Sequence, residues 1–369
     1  MNPSRIPLSS QISEKLRRYI LSEASAGDRI ATETELARKY HVSVATIREA
    51  VLILIKDGLL DRRQGSGTYV RETKRGRHVA ILCEMDLTHA RCSRYFIRLV
   101  FGLKAALENM GIPVTVYLGH TPPGAPTSEF SNRDFLSALS AGQVGVAVAV
   151  QALPGPWLGY AEAQGIPVIG CSPIFSRSYS WGLEDAFGRE VDRLISAGRR
   201  RFALLSWKDK DHPIKSARPD PIAGMLSTRL KDHRMAFPVS RLVNDLHPSL
   251  PGAGYDGIRE IWSALEEKPD ALFIANDALL SDALLAVQEI FCTQRPDLDV
   301  VVQTSGGEQL FAPFPLTIVE QDPAILAAEL AREAAALLAG AHIPARKVQL
   351  VPQCYQSESG RRIEEGMNL

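Results

Sequence analysis

The sequence predicts an α/β chain in two unequal parts. A small head of three short helices and a β-hairpin is followed by a two-lobed, doubly wound parallel-sheet body. Three observations carry this expectation. At 369 residues the chain exceeds one typical domain. Its apolar periodicity is helical and well capped up to about residue 57, then from residue 79 becomes short apolar runs alternating with amphipathic stretches. The net charge is zero but divided: residues 1–77 hold 15 Lys+Arg against 9 Asp+Glu, so the head is basic and the remainder acidic by the same amount. A basic head on an acidic body suits a module that meets phosphates beside a larger one that does not.

Taken in order, residues 9–24 place Ile12, Leu16, Tyr19 and Ile20 at helical spacing behind Ser9 or Ser10 as cap. Thr32-Glu33-Thr34-Glu35 is a capping box that opens a second helix through Tyr40. His41-Val42 is a tight connection, and Ser43 caps a third helix that buries Ile47, Val51 and Leu54 and stops at Gly58. Leu59–Arg63 and Thr68–Val70 flank a Gln64-Gly65-Ser66-Gly67 turn whose glycines supply the positive φ of a tight hairpin. The polar, basic run Arg71–His78 reads as a linker.

From Val79 the reading alternates. Strands are expected at 79–83, 114–118, 144–150, 167–171, 201–206, 271–275 and 300–303, with helices at 95–110, 130–139, 157–164, 185–197, 255–265 and 277–291. Continuous apolar strands between amphipathic helices indicate parallel sheets covered on both faces. This is too much chain for one sheet, so two lobes are expected. The head is assigned to 1–71, the linker to 72–78 and the body to 79–369. Lobe 1 takes about 79–176 and 304–320, and lobe 2 about 177–303 and 321–358.

The stretch GDRIATETELARKYHVSVATIREAVLILIKDGLLDRRQGSGTYV (27–70) resembles the winged helix-turn-helix DNA-binding domain of the GntR family. Glu35-Leu36-Ala37, Val42-Ser43, Arg48-Glu49-Ala50, Asp57-Gly58-Leu59 and Gly65-Ser66-Gly67-Thr68 carry the resemblance. A second helix after a tight turn enters the major groove with its first residues nearest the bases. Here those are Ser43, Val44, Ala45, Thr46 and Arg48. Ser43 and Thr46 can donate to phosphates or bases, and Arg48 to phosphate or bidentately to guanine. The resemblance implies that Gln64 and Gly65 at the hairpin tip enter the minor groove, with Arg62 and Arg63 on the backbone beside it. Thr34 and Val44 stand where family members often carry arginines, and Ala31 where they often carry proline, so the operator preference does not transfer. The bland readings stand beside these: Ser43 as a helix cap, and Arg48, Arg62 and Arg63 as solvated surface.

Three later segments resemble the sensor domain of LacI/GalR regulators, itself periplasmic-binding-protein-like: 183–207, 269–289 and 315–323. Head and body together resemble the arabinose-repressor architecture. Such a body takes a small molecule between its lobes, beyond the carboxyl ends of parallel strands. Asn276 and Asp277 at a strand end, and Gln321 with Asp322 at a crossover, are the polar candidates; helix capping is their structural alternative. Arg218 lies near where the resemblance places a clamping arginine. Gln303-Thr304-Ser305 replaces the family's Gly-aromatic-Asp, leaving Ser305 as the candidate there. Phe175, Trp181 and Trp207 offer rings for stacking on a sugar, or core.

The five cysteines are scattered without CxxC spacing, so neither a disulfide framework nor a zinc site is expected. No GxSxG, HExxH or Walker sequence is found, and no cofactor or enzyme activity is expected. The N-terminus lacks the apolar core of a signal peptide, and no apolar run is long enough to span a bilayer, so a cytoplasmic location is expected. The resemblances imply an allosteric transcription regulator, a repressor acting as a homodimer on a near-palindromic operator and answering to a carbohydrate-like effector. A DNA-binding head on an enzyme-like or purely dimerising body is the alternative.

Overall fold

In the computed structural model, helix α1 (Leu8–Glu23) lays Ile12, Leu16 and Ile20 against α3 (Val44–Lys56), whose Ile47, Ala50, Val51 and Leu54 complete the head's core. The described residues are 7–24, 27–56, 59–63, 65–70, 78–88, 92–121, 129–207, 220–237, 241–248, 250–294, 296–306, 310 and 312–357. Helix α2 (Glu33–Tyr40) begins on the expected capping box: the Glu35 amide donates to Thr32 Oγ1 (3.3 Å) and the Thr32 amide to Glu35 Oε2 (2.8 Å). His41 adopts a left-handed φ of 54° and turns the chain toward α3. Strands β1 (Leu60–Arg63) and β2 (Gly67–Val70) form the hairpin. Segment 27–30 adds a third, antiparallel row: the Gly27 amide donates to Val70 O (2.9 Å) and the Ile30 amide to Thr68 O (3.0 Å). The expected helix stop at Gly58 and residues 71–77 of the expected linker lie outside the described residues, while His78, also assigned to the linker, already belongs to the first strand of the body.

The body is built on two six-stranded sheets. The first runs in the order β13-β7-β6-β5-β3-β4, from β3 (His78–Met85), β4 (Val114–Thr121), β5 (Val144–Gln151), β6 (Val168–Gly170), β7 (Ser178–Trp181) and β13 (Lys347–Leu350), every pair parallel. Helices α4 (Arg94–Asn109) and α11 (Pro323–Leu338) cover one face, with α5 (Arg133–Ser140) and α6 (Pro156–Ala163) on the other. Leu99, Leu103 and Leu107 of α4 share a core with Leu326, Leu330 and Leu337 of α11. Each such fully buried leucine contributes on the order of 2 kcal/mol.

The second sheet runs β14-β12-β11-β10-β8-β9, from β8 (Phe202–Leu205), β9 (Leu242–Val243), β10 (Ala271–Ile274), β11 (Asp299–Ser305), β12 (Leu316–Gln321) and β14 (Gln353–Ser357). Only β14 is antiparallel among its pairings. Helices α7 (Leu183–Ser196) and α8 (Pro221–Asp232) pack on one face, α9 (Ala253–Ala264) and α10 (Asp277–Gln294) on the other.

The lobe limits differ from the sequence expectation. Residues 304–321 continue β11 and β12 in the second sheet instead of joining the first, because Val301–Ser305 pair in parallel with Thr317–Gln321. Conversely, α11 and β13 belong to the first lobe, and β7 extends that lobe to Trp181. The chain therefore crosses between lobes at Gly182, at Asp322 and at Val351-Pro352. An apolar strand such as Leu316–Gln321 carries no mark of which sheet it will join. Elements β7, α8, β9, β12, α11, β13 and β14 were not expected from periodicity; β9 has two residues and β13 and β14 are largely exposed, so their apolar signal is thin, whereas α8, β12 and α11 bury apolar residues and were passed over.

The α9–α10 contact is close enough to require glycine at 254. A Cβ there would stand 2.1 Å from Leu279 O and 2.8 Å from Ala283 N, both backbone atoms that cannot swing aside. Gly254→Ala is expected to destabilise the body by about 2 kcal/mol, as overpacking of a fixed backbone does. Urea unfolding at unchanged m-value measures it, and a midpoint equal to the parent's would contradict the close approach.

Candidate functional site

On the head, most of the expected DNA-facing residues are open to solvent. Thr34, Ser43, Val44, Ala45 and Arg48 are exposed and Thr46 is half-buried. Ser43 Oγ accepts from the Thr46 amide (3.1 Å) and is hydrogen-bonded to Thr46 Oγ1 (2.8 Å). Ser43 is thus an N-cap, and its hydroxyl is partly committed to that role. Arg48 Nε donates to Glu33 Oε2 (3.0 Å), and Arg62 Nη2 donates to Glu33 Oε1. One carboxylate therefore holds two of the expected DNA contacts. Arg63 lies over the Tyr69 ring (4.6 Å), a cation–π contact. Gly65, at φ 75°, is exposed at the hairpin tip, with nothing within 4 Å of a built Cβ. Gln64 lies outside the described residues.

Arg29, Arg48, Arg62 and Arg63, with Thr32 and Glu33, line a concavity of about 570 Å³ between α2, α3 and the hairpin. Sequence reading missed Arg29, because it lies in the segment between the first and second helices, outside the recognition helix and the hairpin. Its side chain packs against the hairpin at Gly67, with Nε 2.7 Å from where a Cβ there would stand.

In the body, the three crossings leave the carboxyl ends of β7, β12 and β13. They bring the carboxyl edges of both parallel sheets face to face. The groups lining this interlobe cleft come mainly from helix N-termini. Ser93 caps α4, accepting from the Tyr95 amide (3.2 Å), and its hydroxyl also reaches Asp277 across the cleft. Asp277 opens α10 and accepts from Ser305 Oγ (2.5 Å). Burial raises its carboxyl above the ordinary value; the hydrogen bonds from Ser305, from the Ala278 and Asp277 amides and from Ser93 oppose this without cancelling it. Trp181 Nε1 donates to Tyr95 Oη (2.8 Å), and burial chiefly, then the neighbouring Cys171, Asp277 and Asp322, pushes that phenol up.

Asn276 faces the same edge, but its Oδ1 accepts from the Ala278 amide (2.9 Å). Asp322 caps α11 through the Ala324 amide (2.9 Å), and Gln321 is buried on β12 in register with Ser305. Phe175 is not in the cleft. It is buried among Trp157, Phe130 and Phe135, filling the space that Gly170 leaves, so it is core. Trp207 meets His247 edge-on at 4.9 Å. Arg218 lies outside the described residues.

Two further groups escaped the sequence reading. The sequence reading starts a helix at Tyr95 and does not name Ser93, although serine before a helix is an ordinary N-cap signal. Asp220 caps α8 through Ile222 N (3.0 Å) and Ala223 N (3.2 Å), is bonded by Ser206 Oγ, and accepts from Asn244 Nδ2 (3.3 Å) at the ends of β8 and β9. The Asp-Pro pair at 220–221 was legible as a helix start.

Burial pushes the Cys83 and Cys171 thiols up to about 12, which makes them poor nucleophiles. Among the described residues no group of three or more His, Cys, Asp or Glu is placed to hold a metal ion, and no helix is long and apolar enough to cross a membrane.

Comparison with known proteins follows this division. Residues 8–70 match the model of the bacterial regulatory proteins of the gntR family, and residues 191–359 match that of the periplasmic binding protein-like domain. The chain therefore joins a GntR-type helix-turn-helix domain to a periplasmic-binding-protein-like domain of two parallel sheets. The arabinose metabolism transcriptional repressor of Halalkalibacterium halodurans is 22% identical over 289 residues, 74% of this chain and 73% of that protein. The chain spans less than a third of the length of two other curated relatives. These are the HTH-type regulator YurK of Bacillus subtilis (38% identity over 72 residues, 20% of this chain and 28% of YurK) and the mannosyl-D-glycerate system repressor MngR of Escherichia coli (39% over 69, 18% of this chain and 29% of MngR). Among solved structures, the lac repressor dimer bound to operator and the anti-inducer ONPF aligns with a TM-score of 0.59 at 16% identity, covering 97% of this chain and 99% of that one. The regulator CelR in complex with cellobiose aligns with a TM-score of 0.57 at 18% identity, covering 90% and 100%. At these identities the likeness is one of fold.

The raised Asp277 carboxyl makes a signed prediction. Its folded form favours the proton, so the stability it confers is full below the ordinary value near 3.8 and is lost as pH rises through the elevated folded value. Asp277→Asn carries no charge to bury and keeps an acceptor for Ser305. The variant is expected to melt above the parent at about pH 7.5, with the gap closing at about pH 4.5. Melting curves at the two pH values measure it, and a gap that widens toward acid would refute the assignment.

Proposed function

We propose that this protein is a DNA-binding transcription regulator, a repressor, whose head reads an operator and whose interlobe cleft takes a small carbohydrate-like effector. The observation that carries the reading is the coexistence of two surfaces on one chain. An exposed, arginine-bearing helix and hairpin face on the head is joined to a cleft bridged by the Ser93–Asp277 contact. The relatives named for arabinose and mannosyl-D-glycerate metabolism, and the cellobiose-bound fold neighbour, support a sugar as effector. The lac repressor neighbour supports a dimer on a near-palindromic operator.

The proposed division of labour follows from the geometry. Ser43, Thr46 and Arg48 present the recognition helix, with Arg62, Arg63 and the Gly65 tip on the flanking backbone and minor groove. Thr34, Val44 and Ala45 give that surface few charges, so operator affinity rests on the remaining arginines. In the cleft, Asp277, Asn276, Ser305 and Gln321 supply polar groups and Trp181 a ring edge for a hydroxyl-rich ligand. A ligand that prefers one lobe arrangement shifts the dimer between DNA-competent and incompetent states by its differential affinity.

DNase footprinting of the promoter beside the gene, with and without mono- and disaccharides, tests the whole reading. Protection lifted by one sugar is the expected result, and no protection under any condition refutes it. That sugar should also raise the melting temperature, by about 2.7 kcal/mol of added stability at a hundredfold excess over Kd. Arg48→Ala is expected to weaken operator binding about tenfold and to flatten the salt dependence by about one unit of slope. Unchanged affinity in a salt titration would remove Arg48 from the interface.

A further inference from the structure

Glu33 stands where an acidic group is least expected on a surface that meets phosphate. It is the first residue of α2, where the helix dipole favours a carboxylate. The neighbouring Glu35 is turned back into the capping box with Thr32, whose hydrogen bonds hold its carboxyl below the ordinary value. Glu33 is free of that duty. Its two oxygens go to Arg48 Nε (3.0 Å) and to Arg62 Nη2, one arginine from the recognition helix and one from the hairpin. Its side chain is only 20% exposed, while those of Arg48 and Arg62 are 58% and 45% exposed. The carboxylate thus lies at the bottom of the concavity with both guanidiniums above it. Of the two remaining cations on its wall, Arg63 lies over the Tyr69 ring with Asp61 4.0 Å away, and Arg29 packs over Gly67.

We propose that Glu33 is a specificity-determining residue for DNA: an internal counter-ion that occupies Arg48 and Arg62 until a backbone phosphate in the correct register displaces it. The inference rests on the reading of the head as a DNA-binding module. Exposed ion pairs of this kind are weak, so a phosphate making paired, charge-assisted bonds can exchange with the carboxylate. A phosphate that meets only one of the two arginines must give up part of an existing interaction for an incomplete new one. Sequence-independent binding, which draws its energy from neutralised phosphates, is therefore held down more than binding in register. Glu33 touches no base; its effect is exerted through the two arginines.

The test uses the full-length chain and a mixed-sequence duplex of about 40 base pairs, with anisotropy read across a salt series. Glu33→Gln is expected to bind this duplex about tenfold tighter and with a salt slope steeper by about two, one unit for each released arginine. Glu33→Asp, which keeps the charge, should stay near the parent slope. Glu49→Gln, an equal change in net charge at an exposed site on α3, should move the slope far less. Glu33→Ser serves as a second neutral variant if the glutamine variant melts early, with the same expected shift. Unchanged or weaker binding in the neutral variants, or an equal effect of Glu49→Gln, overturns the proposal while leaving the DNA-binding reading intact. A parent protein that binds neither this duplex nor any duplex selected from a random pool overturns that reading itself.

Discussion

Three chain crossings at Gly182, Asp322 and Val351-Pro352 tie the two lobes at one end, and the rest of the body is arranged around that tether. Each crossing leaves the carboxyl end of a strand, so the carboxyl edges of both sheets must face one another. The α4–α11 seam makes the middle crossing obligatory. Helix α11 follows β12 of the second sheet but buries Leu326, Leu330 and Leu337 in the first lobe. The adjacent β13 then pairs with β7 before β14 returns to β12. Hydrophobic burial on the first lobe thereby fixes where the chain returns to it from the second.

The same geometry explains why the cleft is polar. In parallel α/β units the helices begin just beyond the strand carboxyl ends, so their N-caps gather there. Ser93, Asp220, Asn276 and Asp322 each accept from a first-turn amide, and Asp277 opens α10 beside them. These caps are structural, and the same placement gives the proposed effector site its polar groups. Asp277 feels the conflict most, because burial between lobes opposes its charge while Ser93 and Ser305 hydrogen-bond to it.

The head solves a different problem, that of carrying arginines which must await a partner. Arg29 packs over Gly67, Tyr69 carries Arg63, and Glu33 holds Arg48 and Arg62. The basic charge counted along the sequence is thus partly engaged within the head, and charge counting alone overstates what phosphate would encounter.

Local chemistry by itself determined the head and the class of the body. The Thr32–Glu35 box, the Ser43 cap and the glycines of the hairpin each act within four residues, so the sequence contains both partners of every interaction. Alternating apolar strands and amphipathic helices likewise announced parallel sheets, since each element must bury its own face. Tertiary structure alone decided the allocation of elements to lobes, the burial of Phe175 in the core and the meeting of Ser93 with Asp277. It alone also placed Glu33 between an arginine 15 residues away and another 29 residues away. Those outcomes depend on which surfaces pack against each other, and a strand or a charge carries no record of a partner that only long-range packing supplies.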